Sequence, residues 1–261
     1  MAVKELCLRE LLIFKISKFV TNSLFVDFMN SEKLYYINPY KQECEAKIIS
    51  ITPKGNQTLV ELDETIFYPE GGGQPNDQGE ITGGRGRLKV QMVSEKEGKI
   101  FHQGLLEGEL NAGENVKCQL KWNLRYRNMR THSAGHLIHD ILMLLESNLV
   151  PSKGSHGQKA FIEYSGEAKI SKDELETKVN EAMKTDSPIL VGSTTLEELK
   201  KECDFIPSNL PKNKELRYIK IGNYRMMPDG GIQVKTTSEI GNVFINSIEI
   251  GDGKTIIKYR V

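Results

Sequence analysis

No two of the four cysteines, at positions 7, 44, 118 and 203, stand close enough in sequence to make a zinc knuckle or a redox Cys-x-x-Cys pair. Their scatter excludes a disulfide framework of the small secreted kind and reads as reduced, cytoplasmic usage. Net charge is missing too: 35 basic and 35 acidic side chains cancel. A nucleic-acid partner must therefore be held by local patches or by shape, not by a global positive field. The apolar stretch around Leu11 to Val20 is broken by Lys15 and Lys18, and no run reaches membrane-spanning length. Glu5, Arg9 and Glu10 spoil the charged-then-apolar pattern of a signal peptide. There is no internal repeat, no low-complexity tract and no G-x-G-x-x-G dinucleotide loop.

What remains is a 261-residue chain with 38% hydrophobic residues, enough for one large or two small buried cores. Residues 1–31 read as an N-terminal extension outside the domains, with Met29 as an alternative start; a packing helix and a targeting segment are the other readings. From residue 43 to Trp122 the pattern is strand-like, with runs at 46–51, 58–62, 88–93 and 116–120 separated by turn residues at 54–56, 95–98 and 111–113. A small β-barrel or curled sheet is expected over 32–122. After Trp122 the period changes to that of a long helix, and Ser171-Lys172-Asp173-Glu174 is a capping box opening a second helix through about Met183. Strands at 189–191, 216–221, 242–248 and 255–259, a short helix over 196–203 and a tight turn at Asp252-Gly253 make 123–261 an α+β domain.

Within the long helix, His132 and His136 are separated by four residues, so both imidazoles lie on one face, about 6 Å apart, within reach of one divalent ion. A catalytic metal site needs a third protein ligand. Residues 228–233, Pro-Asp-Gly-Gly-Ile-Gln, offer Asp229, while the neutral amide of Gln233 is a poor zinc ligand better suited to hydrogen bonding a water or a carbonyl. A pair of packed core imidazoles and a solvated Pro-Asp-Gly-Gly turn are the competing readings. His139 sits too far along the axis from His132 to share a small ion and reads as a packing residue. Three successive glycines, Gly71, Gly72 and Gly73, ahead of Gln74, carry an entropic cost that points to close backbone approach.

Residues 67–79, 130–137 and 228–241 together resemble the alanyl-tRNA editing family, which comprises the editing domain of alanyl-tRNA synthetase and its freestanding AlaX relatives. The likeness runs from about Lys33 to Val261 and leaves residues 1–31 outside it. It implies a translation-factor-like β-barrel joined to an α+β editing domain of the threonyl/alanyl-tRNA synthetase type. The implied activity is hydrolysis of serine or glycine from tRNA specific for alanine by a trans-acting cytoplasmic deacylase, with the tRNA acceptor end as partner and neither a membrane nor an obligate protein partner. One divalent metal is implied, zinc in the family. The family's ligands are two helix histidines plus Cys and His in a Cys-Gly-Gly-Thr-His segment. Here His132 and His136 are kept, but Asp229, Ile232 and Gln233 stand at the Cys, Thr and His positions. Carboxylate in place of thiolate relaxes the selection for zinc and admits manganese. By the same resemblance Gly71, Gly72, Gly73, Gln74, Ser152, Gly154 and Gln233 are expected around the substrate, and Arg125, Arg127, Arg130 and Lys153 at the tRNA. A metal-poor paralogue that binds tRNA or protein without turnover, and a hydrolase of another small ester or amide, stay open.

Overall fold

A computed structural model describes residues 30–207, 210–211 and 213–261. The expected N-terminal extension, Met29 included, lies outside the described residues except for Asn30 and Ser31.

Two-residue periodicity builds the first half. β1 (Glu32–Lys33) and a helical turn, α1 (Leu34–Ile37), lead into β2 (Glu43–Lys54), where Cys44, Ala46 and Ile48 point inward between exposed Glu43, Glu45 and Lys47. β3 (Gln57–Leu62), β4 (Glu64–Thr65), β5 (Gly79–Thr82), β6 (Arg85–Lys96), β7 (Lys99–Glu109) and β8 (Asn115–Leu120) follow. Six of them close an antiparallel barrel in the order β2-β3-β7-β6-β5-β8, while β1 pairs with β4 in parallel. Ile48, Val60, Leu62, Ile81, Leu88, Val90 and Ile100 fill the interior. The strand runs read from the sequence lie within β2, β3, β6 and β8, whereas β5 and β7 were not read from it. Two glycines and the polar pair His102-Gln103 interrupt β7 and blur its alternation. Closure sets Cys44 directly opposite Cys118, both buried and free, so two thiols distant in sequence are neighbours in space. That register depends on the first strand meeting the last, which no local pattern encodes.

The second half begins with α2 (Trp122–Leu145), followed by β9 (Val150–Ser155), β10 (Ala160–Ser165) and α3 (Lys172–Met183). Ser171 caps α3, its Oγ accepting the Glu174 N–H at 3.2 Å, as the capping box predicts. β11 (Ile189–Thr194), α4 (Leu196–Glu202), β12 (Leu216–Ile221), β13 (Met227–Pro228), β14 (Phe244–Gly251) and β15 (Lys254–Arg260) complete the chain. They form a four-stranded antiparallel sheet, β14-β15-β10-β9, and a three-stranded one, β11-β12-β13. Asp252 and Gly253 both take left-handed φ, +52° and +71°, in the two-residue turn between β14 and β15. α2 is buried along most of its middle, its apolar residues Met129, Leu137, Ile138, Ile141 and Leu142 packing with Ile162, Tyr164, Ile257 and Tyr259 of the sheet. Among the described residues no helix is long and apolar enough to cross a membrane.

One buried ion pair clasps the barrel to α2. Arg125 and Asp77 have side chains 0% and 1% exposed, and the guanidinium donates to both carboxylate oxygens, to Pro39 O and to Ile66 O. The expectation that Arg125 contacts tRNA is therefore corrected: every side of the group is used inside the protein. Removing one partner of such a pair leaves a buried charge uncompensated. Asp77→Ala should cost about 3–5 kcal/mol of stability, read as a lowered urea midpoint.

His102, fully buried in the barrel, must donate from Nδ1 to Val60 O at 3.0 Å, which leaves Nε2 to accept from the Thr65 hydroxyl at 2.8 Å. Burial, partly opposed by the Val60 carbonyl, pushes its pKa down from 6.5 to about 4. The neutral ring's stabilisation is fully present above pH 6.5 and is lost as pH falls through about 4, because the unfolded chain binds the proton first. The loss at this site should reach roughly 3 kcal/mol across that window, and the His102 ring resonances of the folded protein should not titrate between pH 7 and 5.

Candidate metal centre

Helical periodicity brings the first two groups together. His132 and His136 stack on α2 with ring centroids 5.0 Å apart. The strand β13 then delivers a turn whose glycines let it come close: a Cβ on Gly231 would overlap the His132 ring, and one on Gly72 would sit 3.3 Å from Gly231 N. Through this approach Asp229 Oδ1 stands 3.3 Å from His132 Nε2 and 3.6 Å from His136 Nε2. One ligand atom from each of the three residues lies within 4.8 Å of the others.

Hydrogen bonding decides which atoms carry protons. Gln74 Oε1 accepts the Ile232 N–H at 3.1 Å and lies 2.9 Å from His132 Nδ1. An amide oxygen can only accept, so Nδ1 bears the proton and His132 Nε2 presents a lone pair to the carboxylate. Burial holds His132 neutral, its pKa down to about 4, with the Asp229 charge opposing and His136 reinforcing. Burial pushes the Asp229 carboxyl up, yet attraction to positive charge on His132 or His136, a hydrogen bond from His136 and the Gly231 N–H outweigh it and hold the group well below the usual carboxylate range. The carboxylate is oriented at both oxygens, Oδ1 by the Gly231 N–H at 2.9 Å and Oδ2 by the Gln233 amide at 2.7 Å. Gln233 is in turn held by Ser133 Oγ, which donates to its Oε1 at 2.7 Å. His136 Nε2 is buried without a hydrogen-bond partner. The unprotonated Nε2 of His132 thus faces the Asp229 carboxylate with no proton between them, and His136 Nε2 lies beside the same oxygen; the facing lone pairs repel unless a cation lies there. Two histidines and one carboxylate are a three-ligand hydrolytic set that leaves a further position open.

A cavity of about 400 Å³ opens from this cluster. It runs along α2 past His136, Asp140 and Met143, with Ser152, Lys153 and Gly154 on one side and Tyr224 to Pro228 on the other. Tyr68 OH lies between Gly71 O, 2.9 Å, and Gly230 O, 3.0 Å, and Tyr36 OH donates to Gly230 O at 2.9 Å. These bonds tie the glycine loop of the barrel to the Asp229 turn.

The expected residues divide. Gly71, Gly72 and Gly73 border the site, and Ser152, Lys153 and Gly154 line the cavity. Gln74 and Gln233 differ from their expected place against substrate: both are buried, one orienting His132 and the other Asp229. Arg127 is exposed, and Arg130 is half-buried with Nε donating to Ile240 O at 2.8 Å. His139 packs at Tyr164, Nδ1 to OH 3.1 Å. Two histidines of five escaped the sequence reading: His102, inside the barrel, and His156, which stacks on His132 with centroids 4.3 Å apart. For His156 the only local signal was its position directly after Gly154-Ser155. Gln74→Leu should weaken divalent-ion affinity about 10–100-fold, as loss of a group orienting a ligand does; chelator-competition titration checks this.

Comparison with known proteins adds the following. The family model described as tRNA synthetases class II (A) matches residues 11–124, starting inside the segment set aside as an extension. Alanyl-tRNA editing protein AlaX-L of Pyrococcus horikoshii is 38% identical over 219 residues, 80% of this chain and 52% of that protein, so the chain spans about half of that relative's length. AlaX-M of Saccharolobus solfataricus is 31% identical over 241 residues, 88% of this chain and 99% of its own. The alanine–tRNA ligase of Methanococcus vannielii is 30% identical over 90% of this chain but only 26% of the ligase.

Proposed function

Because this chain belongs to the family of freestanding AlaX alanyl-tRNA editing proteins, we propose that it is a deacylase that frees tRNA(Ala) of a wrongly attached amino acid, serine or glycine, at the His132–His136–Asp229 centre. The observation that carries this reading is the convergence of three ligand atoms, His132 Nε2, His136 Nε2 and Asp229 Oδ1, beside a cavity that His136 lines. At about 400 Å³ the cavity far exceeds what serine or glycine alone requires and suits the terminal nucleoside that carries the ester. The same reading assigns residues 32–122 to a translation-factor-like barrel and 123–261 to an editing domain of the threonyl/alanyl-tRNA synthetase type. The closed barrel ending at Leu120 and the start of α2 at Trp122 support this division.

In this mechanism His132, His136 and Asp229 hold one divalent ion, zinc or a harder ion such as manganese. When bound, that ion supplies an electrophile for the ester carbonyl and a more acidic water. Gln74 keeps His132 in the tautomer that offers Nε2, and Gln233, positioned by Ser133, keeps both carboxylate oxygens aimed. The backbone N–H groups around Gly72, Gly73 and Gly154 are the proposed donors to the ester oxygen as charge develops on it. Exposed Arg127 and Lys153 are the proposed contacts to tRNA phosphates, and the protein is assigned to the cytoplasm.

Purified protein should hydrolyse seryl- or glycyl-tRNA(Ala), and His136→Ala should lower the rate more than about 100-fold, beyond the loss typical of a group that only orients a ligand. Stoichiometric metal without any turnover would instead indicate another small ester or amide as substrate. Metal-free protein without turnover would indicate a binding paralogue.

A further inference from the structure

His156 belongs to none of the motifs used above, yet the chain leaves out three side chains to seat it. A Cβ on Gly135 would lie 2.6 Å from its Nδ1, one on Gly73 2.9 Å from Cδ2, and one on Gly154 2.9 Å from Nε2. These glycines come from α2, the barrel's glycine loop and β9, so three separate segments make room for one ring. The ring lies at 18° to that of His132, with centroids 4.3 Å apart, a near-parallel stack. The loop and the ring are also tied through the backbone, His156 N–H donating to Gly73 O at 2.8 Å.

Its tautomer is fixed from a distance. Nδ1 lies 2.6 Å from Tyr259 OH, and that hydroxyl lies 3.1 Å from Thr131 O. Given to Thr131 O, which can only accept, the single phenolic proton leaves Nδ1 to donate its own toward the phenolic oxygen. Nε2 is left with a lone pair. Among the described residues no protein group donates to it, and His156 lines the cavity beside His136 and Gly154.

We infer that His156 Nε2 is a catalytic hydrogen-bond acceptor that holds the attacking water against the carbonyl carbon of the aminoacyl ester. This rests on the deacylase reading. In the step, the water oxygen bonds to the carbonyl carbon and the bond from that carbon to the ribose oxygen breaks. One water proton ends on the departing ribose oxygen and the other on the released carboxyl group, which then ionises. His156 finishes as it began, neutral and protonated at Nδ1.

The test compares His156→Phe, which keeps a ring for the stack, with His156→Gln, whose amide oxygen can accept, and with Tyr259→Phe, which frees the tautomer. Turnover of seryl-tRNA(Ala), ion content and the ¹⁵N shifts of the ring are measured. His156→Phe should lose at least about a hundredfold in kcat, with KM and ion content unchanged. His156→Gln should recover part of the loss. In Tyr259→Phe the Nε2 signal should shift toward a mixture of protonated and unprotonated forms, with a smaller drop in kcat. Undiminished kcat in His156→Phe while the parent turns over overturns this inference alone, as does a loss confined to KM. A parent that binds the ion but hydrolyses no aminoacyl-tRNA overturns the deacylase reading and this inference with it. Should His156→Phe fail to fold, the parent's ring decides: a protonated Nε2 contradicts the assignment.

Discussion

Lone pairs forced to face one another are the constraint on which the rest of this structure depends. His132 Nε2, His136 Nε2 and Asp229 Oδ1 meet within a few ångströms, and the surrounding hydrogen bonds deny at least His132 the proton that would relieve the repulsion. A group of this kind persists only if the scaffold holds it, and here several independent contacts do so. Gln74 fixes one imidazole, the Gly231 N–H and Gln233 fix the carboxylate, and Ser133 fixes Gln233.

The barrel is part of this scaffold. Gln74 and the three glycines leave it as a loop that reaches between α2 and the Asp229 turn, and Tyr36 and Tyr68 bond that turn from the barrel side. At the base of the same loop, Asp77 grips Arg125 of α2. Buried polar pairing thus sets the angle at which the loop meets the helix, and the centre inherits its precision from the junction. The cost of burying that ion pair is offset by four acceptor contacts to one guanidinium, which leave none of its charge facing apolar walls.

Much of the site was legible in the sequence because it is encoded by short-range rules. The four-residue spacing of His132 and His136 follows from helix geometry, and a carboxylate flanked by Gly230 and Gly231 marks a turn able to approach another backbone. Two of the three glycines at 71–73 are explained in the same terms, since Gly72 abuts Gly231 and Gly73 abuts His156. What the sequence hid is long-range. Arg125, in a run of arginines at the start of a helix, reads as a tRNA contact until Asp77, 48 residues earlier, folds against it. Gln233 reads as a substrate contact until Ser133, 100 residues away, occupies it. His156 gains its meaning only from Tyr259, 103 residues on, and from Thr131 behind that. Cys44 and Cys118 face one another only because the barrel closes.

Carboxylate replacing thiolate is one of the two ligand positions at which this chain departs from the family segment it resembles, and X-ray absorption at the zinc edge addresses it directly. Zinc-loaded protein should show one equivalent of ion in a shell of nitrogen and oxygen alone at about 2.0–2.1 Å, with the outer scattering of two imidazoles. Sulfur in that shell, a single imidazole, or a protein that retains no stoichiometric ion would contradict the centre described here.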